Sequence, residues 1–275
     1  AGQGFHNFQG TCKYYKKSLT INTSNPNFPD STCRIVKDDL PVKLKPRLAA
    51  VASLVPPATV VADIGTDHAY LPVYLVQKKA CPKVIAVEKS ESNSWMAEQT
   101  INLFNLNHKV EVRVGDGLLA LDEKDGVETV VIAGLGGKTI CRMLIAAADM
   151  LESFKCLVLQ PMVDAVLVRR WLVAQGFRFA REKLARERER YYEIIAVEKG
   201  RQDISESVFL EIGPALLRNR DPLLVPWLKH KMKRYKKVLQ GLQSSQKGKE
   251  DPRWRYFNFQ YNRLKGVLED VRRGL

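Results

Sequence analysis

The feature that most constrains the fold is the regular alternation of strand-like and helix-like segments from Leu44 onward. Short runs rich in Val and Ile predict buried strands at 59–64, 83–88, 110–114, 129–133 and 156–160. Helix-like segments lie between them, at 69–79, 91–106, 138–151 and 163–175. Strands that alternate with helices in this way predict a parallel sheet covered by helices on both faces.

The alternation ends after residue 175. The stretch FRFAREKLARERERYYEIIAVEKG, 177–200, predicts two successive strands joined by a charged connection. We interpret REKLARERER as the solvated part of that connection, and in a second interpretation its arginines contact phosphates. The fold class is therefore α/β, with a doubly wound, Rossmann-like sheet whose final strand is antiparallel. That ending is typical of a methyltransferase sheet, whereas a dinucleotide-binding fold ends on a sixth parallel strand.

The segment after Ile204 has a different pattern. Two apolar stripes follow heptad spacing and predict a C-terminal α-helical coiled-coil hairpin. The first stripe is Leu228, Met232, Tyr235, Leu239 and Leu242. The second is Trp254, Phe257, Tyr261, Leu264, Leu268 and Val271. Residues 201–275 contain 17 Lys and Arg against 8 Asp and Glu, which is +9 of the chain's net +14. This excess predicts a polyanionic partner such as RNA.

Composition and spacing set the remaining expectations. Residues 1–41 are poor in acids and apolar side chains and predict a flexible extension, either an ordinary one or the remnant of an organellar transit peptide. Residues 42–203 then form the cofactor-binding domain, and 204–275 a basic helical domain. The five cysteines contain no C-x-x-C pair, so we expect reduced thiols and no metal. We further expect no membrane association, a monomer, and a cytoplasmic location or an organellar matrix or stroma.

Four motifs fall at the carboxyl ends of the predicted strands, where open α/β sheets bind their ligands. They are DIGTDHAYLP (63–72), Glu88, GDG (115–117) and AGLGG (133–137). An acid that closes the second strand, about 20 residues after the first glycine turn, is placed to accept both hydroxyls of a ribose. Each motif alone is a weak signal, but all four in order predict a ligand that contains a ribose.

The first turn is not built for phosphate. A dinucleotide-binding turn would read G-x-G-x-x-G, whereas only Gly65 is a glycine here, and Asp67 and His68 follow it. A carboxylate at this point repels pyrophosphate and attracts a cation. S-adenosylmethionine has a ribose, a sulfonium and an amino group but no phosphate, so it fits. A nicotinamide-dependent oxidoreductase is disfavoured for the same reason, and a non-catalytic RNA-binding protein of this fold is disfavoured by the intact acids.

Several motifs together resemble the bacterial-type tRNA (adenine-22-N1)-methyltransferase family. The resemblance covers about Lys43 to Leu217 and rests on DIGTDHAYLP, GDGL, IAGLGG, LVLQP, RRWL, YYEIIAVEKG and EIGPALL. It implies methyl transfer from S-adenosylmethionine to N1 of an adenine in tRNA. Another RNA nucleotide stays an alternative, because only the resemblance specifies the position. The chain departs from the family pattern at Leu135, where Met is usual, and at Met162, where Asn is usual.

The site prediction has three parts. The residues expected to hold the cofactor are Asp63, Gly65, Asp67, Glu88, Asp116, Gly117, Gly134, Leu135 and Gly136. His68 and Tyr70 are expected to orient the target base, although His68 could instead be a helix-start residue bonded to backbone. The lysines expected to contact tRNA are Lys229, Lys231, Lys233, Lys236 and Lys237. The glycine-rich segment after strand four disfavours methylation of an exocyclic amine, and Cys141 is expected to serve packing.

Overall fold

The structure is a computed structural model that describes residues 42–204, 207–244 and 248–273. The predicted flexible extension, residues 1–41, lies outside the described residues. The described ranges all fall in one compact unit, Lys37–Leu275. No helix within these ranges combines the length and the apolar character that a membrane span needs. The division into domains at residues 203 and 204 stays a prediction.

The described strands form one mixed sheet in the order β3-β2-β1-β4-β5-β7-β6. The strands are β1 Val61–Ile64, β2 Val84–Glu88, β3 Val110–Val114, β4 Thr129–Leu135, β5 Cys156–Pro161, β6 Phe177–Glu187 and β7 Arg190–Lys199. The first five pair in parallel, and β7 pairs antiparallel with both β5 and β6. The predicted sheet with an antiparallel final strand is confirmed.

Helices cover both faces of this sheet. They are α1 Pro46–Leu54, α2 Tyr70–Lys79, α3 Glu91–Leu103, α4 Gly137–Ala146, α5 Ala165–Ala174, α6 Ser207–Ile212, α7 Pro214–Arg218, α8 Leu224–Gln243 and α9 Pro252–Arg273. Side chains of the central strands alternate between two apolar cores, so that Val61 packs into one and Ala62 into the other. Burial on both faces explains why these strands read as continuous apolar runs. Cys141 lies in the second core, as predicted.

The antiparallel ribbon of β6 and β7 corrects one prediction. REKLARERER is not a solvated connection, because β6 continues to Glu187 and only Arg188 and Glu189 join the two strands. Within that run Glu182 is fully buried and accepts a 2.7 Å hydrogen bond from Nε of Arg169, which is also buried. A charged residue belongs to the sheet here because α5 supplies a buried opposite charge.

The C-terminal helices α8 and α9 pack against each other along the two predicted stripes. Tyr235 meets Phe257 edge to face, with ring centroids 5.1 Å apart. Nearer the start of α8, Leu228 shares an apolar cluster with Leu264 and Leu268. Early residues of α8 therefore face late residues of α9, which makes the pair an antiparallel hairpin.

Candidate active site

The turn after β1 presents open backbone at the carboxyl edge of the sheet. Gly65 has a φ of +77°, and no heavy atom lies within 4 Å of the place where a Cβ would stand. Its N–H donates to the carbonyl of Val87 at 2.8 Å, which fastens the turn to β2. Asp67 and Ala69 also have positive φ values, 54° and 53°, so the chain coils tightly before α2 begins. A ligand can approach this backbone closely.

Asp63 is a buried acid at the end of β1, with 3% of its surface exposed. The hydroxyl of Thr66 donates to its Oδ2 at 2.7 Å. Burial, and to a smaller extent the nearby carboxylate of Glu88, raise the pKa of Asp63 to about 7 against the opposing effects of Thr66 and Arg47. The carboxyl is therefore close to half ionised at neutral pH.

Glu88 is the second buried acid, at the end of β2, with 6% of its surface exposed. Its Oε1 accepts the N–H of Asp67 at 2.5 Å, and its Oε2 accepts from Nδ2 of Asn93 at 3.4 Å. A carboxylate has about four acceptor positions, so each oxygen retains capacity for another donor. The acid that was predicted for ribose also fixes the turn after β1.

Asp67, His68 and Tyr70 lie together at the start of α2. Nε2 of His68 is 3.8 Å from Oδ1 of Asp67, and the rings of His68 and Tyr70 are 5.9 Å apart. The side chains of Asp67 and His68 are 68% and 45% exposed. The structure thus brings these three predicted residues to the rim of the open turn, beside the two buried acids.

The loop after β3 carries Asp116 and Gly117. Oδ2 of Asp116 is 3.1 Å from Nζ of Lys89, which follows Glu88, and both side chains are mostly exposed. Gly117 has a φ of +63°, and a Cβ there would stand 3.2 Å from Cε of Met143. The loop therefore lies beside the end of β2, as the sequence predicts.

The glycine segment at the end of β4 adopts a shape that side chains would obstruct. Gly134 has a φ of +85°, and its N–H donates to Oε1 of Gln160 at 3.2 Å. Leu135 ends β4, Gly136 precedes α4, and a Cβ on Gly137 would stand only 2.7 Å from the carbonyl oxygen of Asp164. The predicted glycine loop is present, and it lies directly against the chain that follows β5.

Two residues of the site were not predicted. Gln160 is fully buried at the end of β5, and its Oε1 accepts from Nη1 of Arg47 at 2.7 Å as well as from Gly134. Its Nε2 lies 3.8 Å from Sδ of Met162, one of the two positions that depart from the family pattern. The motif LVLQP contained Gln160 but gave it no role. Arg47 belongs to α1, a helix that the sequence pattern did not predict.

The predicted tRNA-contacting lysines do not all face solvent. Lys229, Lys233, Lys236 and Lys237 are exposed on α8. Lys231 does not face solvent as expected, because its side chain is only 12% exposed and its Nζ is 3.1 Å from Oε2 of the buried Glu211. Lys231 lies on the inner side of α8, so its ammonium group points into the protein instead.

Comparison with known proteins identifies the family. The family model described as tRNA (adenine(22)-N(1))-methyltransferase matches residues 61–256. The chain belongs to this family. Among curated members, the tRNA (adenine(22)-N(1))-methyltransferase of Bacillus subtilis is 34% identical over 214 residues, which are 74% of this chain and 90% of the relative.

Solved structures of the family agree with this assignment. A Streptococcus pneumoniae protein in complex with S-adenosyl-L-methionine is 30% identical, with a TM-score of 0.73 over 82% of this chain and 100% of that one. The Bacillus subtilis M1A22 tRNA methyltransferase is 29% identical, with a TM-score of 0.74 over 82% of this chain and 99% of the other. The family members thus share this chain's fold from the first strand into the helical hairpin.

Proposed function

We propose that this protein transfers a methyl group from S-adenosylmethionine to N1 of adenine 22 in tRNA. The observation that carries the proposal is the extent of the family match, residues 61–256. The match begins at β1, includes each of the four motifs at the strand ends, and continues into α9. Both the cofactor turn and the basic hairpin therefore belong to the shared architecture.

The residues at the turn fit S-adenosylmethionine. Two buried acids, Asp63 and Glu88, give the pocket a negative character, and Gly65 leaves open backbone between them. Glu88 would accept the ribose hydroxyls, while Asp63, Gly65 and Asp67 would hold the methionine end. Asp116 and Gly117 would lie beside the adenine, and the loop Gly134, Leu135 and Gly136 would border the methyl group. When bound, the cofactor supplies an electrophilic methyl group on a sulfonium.

The side chains around the turn have a positioning task rather than a deprotonation task. N1 of neutral adenine has an in-plane lone pair, so no residue needs to remove a proton before the attack. His68 and Tyr70 would hold the base in the attacking orientation. The base gains positive charge as the bond forms, and the carboxylates near the turn stabilise that charge.

The exposed cations of α8 would contact the tRNA backbone. Lys229, Lys233, Lys236 and Lys237 extend from one helix that is anchored to the sheet through the apolar cluster around Leu228. Phosphate contacts of this kind position a nucleic acid without reading its bases. We also propose a monomer that needs no metal and works in the cytoplasm, or in an organellar matrix or stroma.

Nucleoside analysis of a methylated tRNA tests the proposed function. The purified full chain is incubated with labelled S-adenosylmethionine and either a tRNA with adenine 22 or the same tRNA with guanine 22. We expect 1-methyladenosine at position 22 in the first tRNA and no label in the second. Equal labelling of both, or label in a different modified nucleoside, would contradict the assignment.

A further inference from the structure

The tip of the β6–β7 ribbon, residues 186–190, is held between two other elements. It contains three arginines, Arg186, Arg188 and Arg190, and its residue Glu187 faces α1 while Tyr191 just beyond it faces α8. Nε of Arg186 donates to the carbonyl of Arg188 at 2.9 Å, which fixes the shape of the tip. The charged run that the sequence placed in a solvated connection is therefore anchored to α1 through Glu187 and faces α8 through the neighbouring Tyr191.

Cations from the ribbon tip and from α8 lie around one pair of rings. The rings of Tyr191 and His230 are 5.2 Å apart, and the guanidinium of Arg186 lies 5.4 Å from the centroid of Tyr191. Lys233 and Arg234 follow His230 by one helical turn, and both are exposed. We define the tip cluster as Arg186, Lys233 and Arg234.

The surroundings of His230 are predominantly positive. Partial burial lowers the pKa of His230, and Arg234, Lys233 and Arg186 lower it further. Glu189 acts against them; its carboxylate lies 3.6 Å from the guanidinium of Arg186, and its side chain is 91% exposed. Three cations around His230 outnumber this single exposed acid, and a bound anion would reduce their mutual repulsion.

The other face of the ribbon tip is tied to the candidate active site. Oε1 of Glu187 accepts the backbone N–H of Arg47 at 2.8 Å. Nη1 of Arg47 in turn donates to Gln160, whose same oxygen accepts the N–H of Gly134 in the glycine loop. A continuous series of contacts therefore joins the tip cluster to the loop that borders the methyl group.

We propose that the tip cluster binds backbone phosphates of the tRNA and, through the ribbon, sets the RNA strand at a fixed separation from the glycine loop. The inference rests on the proposed function for the identity of the RNA. It differs from a general role of the basic hairpin, because it assigns the contact to one junction rather than to the total charge of the helices. Phosphate is the ligand that a group of fixed cations without base-reading geometry would bind.

The test compares two full-chain variants that lose the same charge. The cluster variant is Arg186→Gln, Lys233→Gln and Arg234→Gln, and the control is Arg255→Gln, Lys265→Gln and Arg272→Gln on the exposed face of α9. Binding of a tRNA with adenine 22 is measured without cofactor at several salt concentrations. We expect the cluster variant to bind at least about tenfold more weakly, with a logarithmic salt slope smaller by roughly 2–3. The control should stay within about threefold of the unmodified protein.

Each outcome separates this inference from its alternatives. Equal losses in both variants would show that only net charge matters, and unchanged binding by the cluster variant would overturn the inference outright. The double variant Lys233→Gln and Arg234→Gln leaves the sequence of the ribbon unchanged and should still weaken tRNA binding. A loss in this variant cannot result from misfolding of the ribbon tip. If the unmodified protein binds tRNA through the cluster but methylates no tRNA, the proposed function fails and the inference stands.

Discussion

At the scale of single residues, Asp63 is the side chain whose burial most needs an explanation. A carboxylate at the buried end of β1 is destabilising unless something compensates for its lost hydration. Thr66 provides one hydrogen bond, and the neighbouring Glu88 makes ionisation harder rather than easier. Such an arrangement is typical of functional sites, where a bound ligand completes the electrostatics.

Binding of S-adenosylmethionine should therefore depend on pH through Asp63. The pKa of about 7 means that this carboxyl is protonated in part of the free protein at neutral pH. A cationic ligand favours the carboxylate, so affinity should increase from pH 5.5 to 7.5 and protons should be released on binding. Calorimetry in two buffers with different ionisation enthalpies measures both quantities.

The matched variant is Asp63→Asn, which keeps the size of the side chain. It should bind more weakly and lose the pH dependence. Its free energy of unfolding provides a second check, because a raised pKa destabilises the fold as pH increases from about 4 towards 7. The variant should accordingly gain stability relative to the unmodified protein over that interval. An affinity of the unmodified protein that does not change with pH would exclude Asp63 from the cofactor site.

The residues predicted from sequence and those missed differ in how far their partners lie along the chain. Asp63 and Glu88 could be predicted, because a few neighbouring apolar residues are enough to place each acid near the end of a buried strand. Gln160 could not, since its role depends on Arg47, 113 positions earlier. Glu182 was misinterpreted for a similar reason: nothing near it in the sequence shows that Arg169 lies beside it. Local patterns define strand ends, whereas buried polar contacts depend on the completed fold.

At the scale of elements, α6 fastens the helical hairpin through one fully buried acid. Glu211 is paired with Nζ of Lys231, and it accepts hydrogen bonds from the hydroxyl of Tyr235 at 2.6 Å and from that of Tyr256. Lys231 and Tyr235 belong to α8, and Tyr256 belongs to α9. Burial would raise the pKa of Glu211, but these three partners more than offset it and hold the pKa below its usual value. The heptad pattern predicted both helices, but gave no sign of this anchor.

Replacing Glu211 should release the hairpin. The variant Glu211→Gln leaves the ammonium of Lys231 without its counter-charge, a change that typically costs about 3–5 kcal/mol for a buried pair. We expect the free energy of unfolding at pH 7 to decrease by that order. Because the pKa of Glu211 is lowered in the folded state, the stabilisation is present above about pH 4.5 and is lost as the acid becomes protonated. Denaturation should therefore show that the free energies of unfolding of the unmodified protein and the variant differ less at pH 3 than at pH 7.

The control for this prediction is Glu269→Gln, which removes an exposed acid from α9. Its stability should stay within about 0.5 kcal/mol of the unmodified protein. A loss of similar size in both variants would show that Glu211 contributes only its charge and does not anchor the hairpin.

At the scale of the whole molecule, one apolar cluster is shared by the ribbon, by α6 and α7, and by the hairpin. Leu184, Val208, Ile212 and Leu216 pack in it with side chains from α8 and α9. Removing residues 222–275 would expose these four side chains, and each would lose roughly 1.5–3 kcal/mol of hydrophobic stabilisation. The total is comparable with the whole stability of a typical domain, about 5–15 kcal/mol. We expect the shortened chain to melt far below the full chain, or not to fold cooperatively.

Scanning calorimetry of the full chain supplies the internal control. One shared cluster predicts a single transition. An independent helical domain after residue 203 would instead give two transitions, and the shortened chain would reproduce one of them. The second result would contradict the coupled arrangement and support the division at residues 203 and 204.

The contact between Arg47 and Glu187 also has a consequence for synthesis on the ribosome. These residues are 140 positions apart, yet their hydrogen bond holds α1 beside the glycine loop. At about 5–20 residues per second, Glu187 is translated roughly 7–28 s after Arg47. During that interval α1 lacks the strand that fixes it, and Gln160 is itself translated only 113 residues after Arg47. The nascent chain can therefore complete the contacts of Arg47 in the candidate site only after β6 has been made, so partial chains released before that point should lack activity.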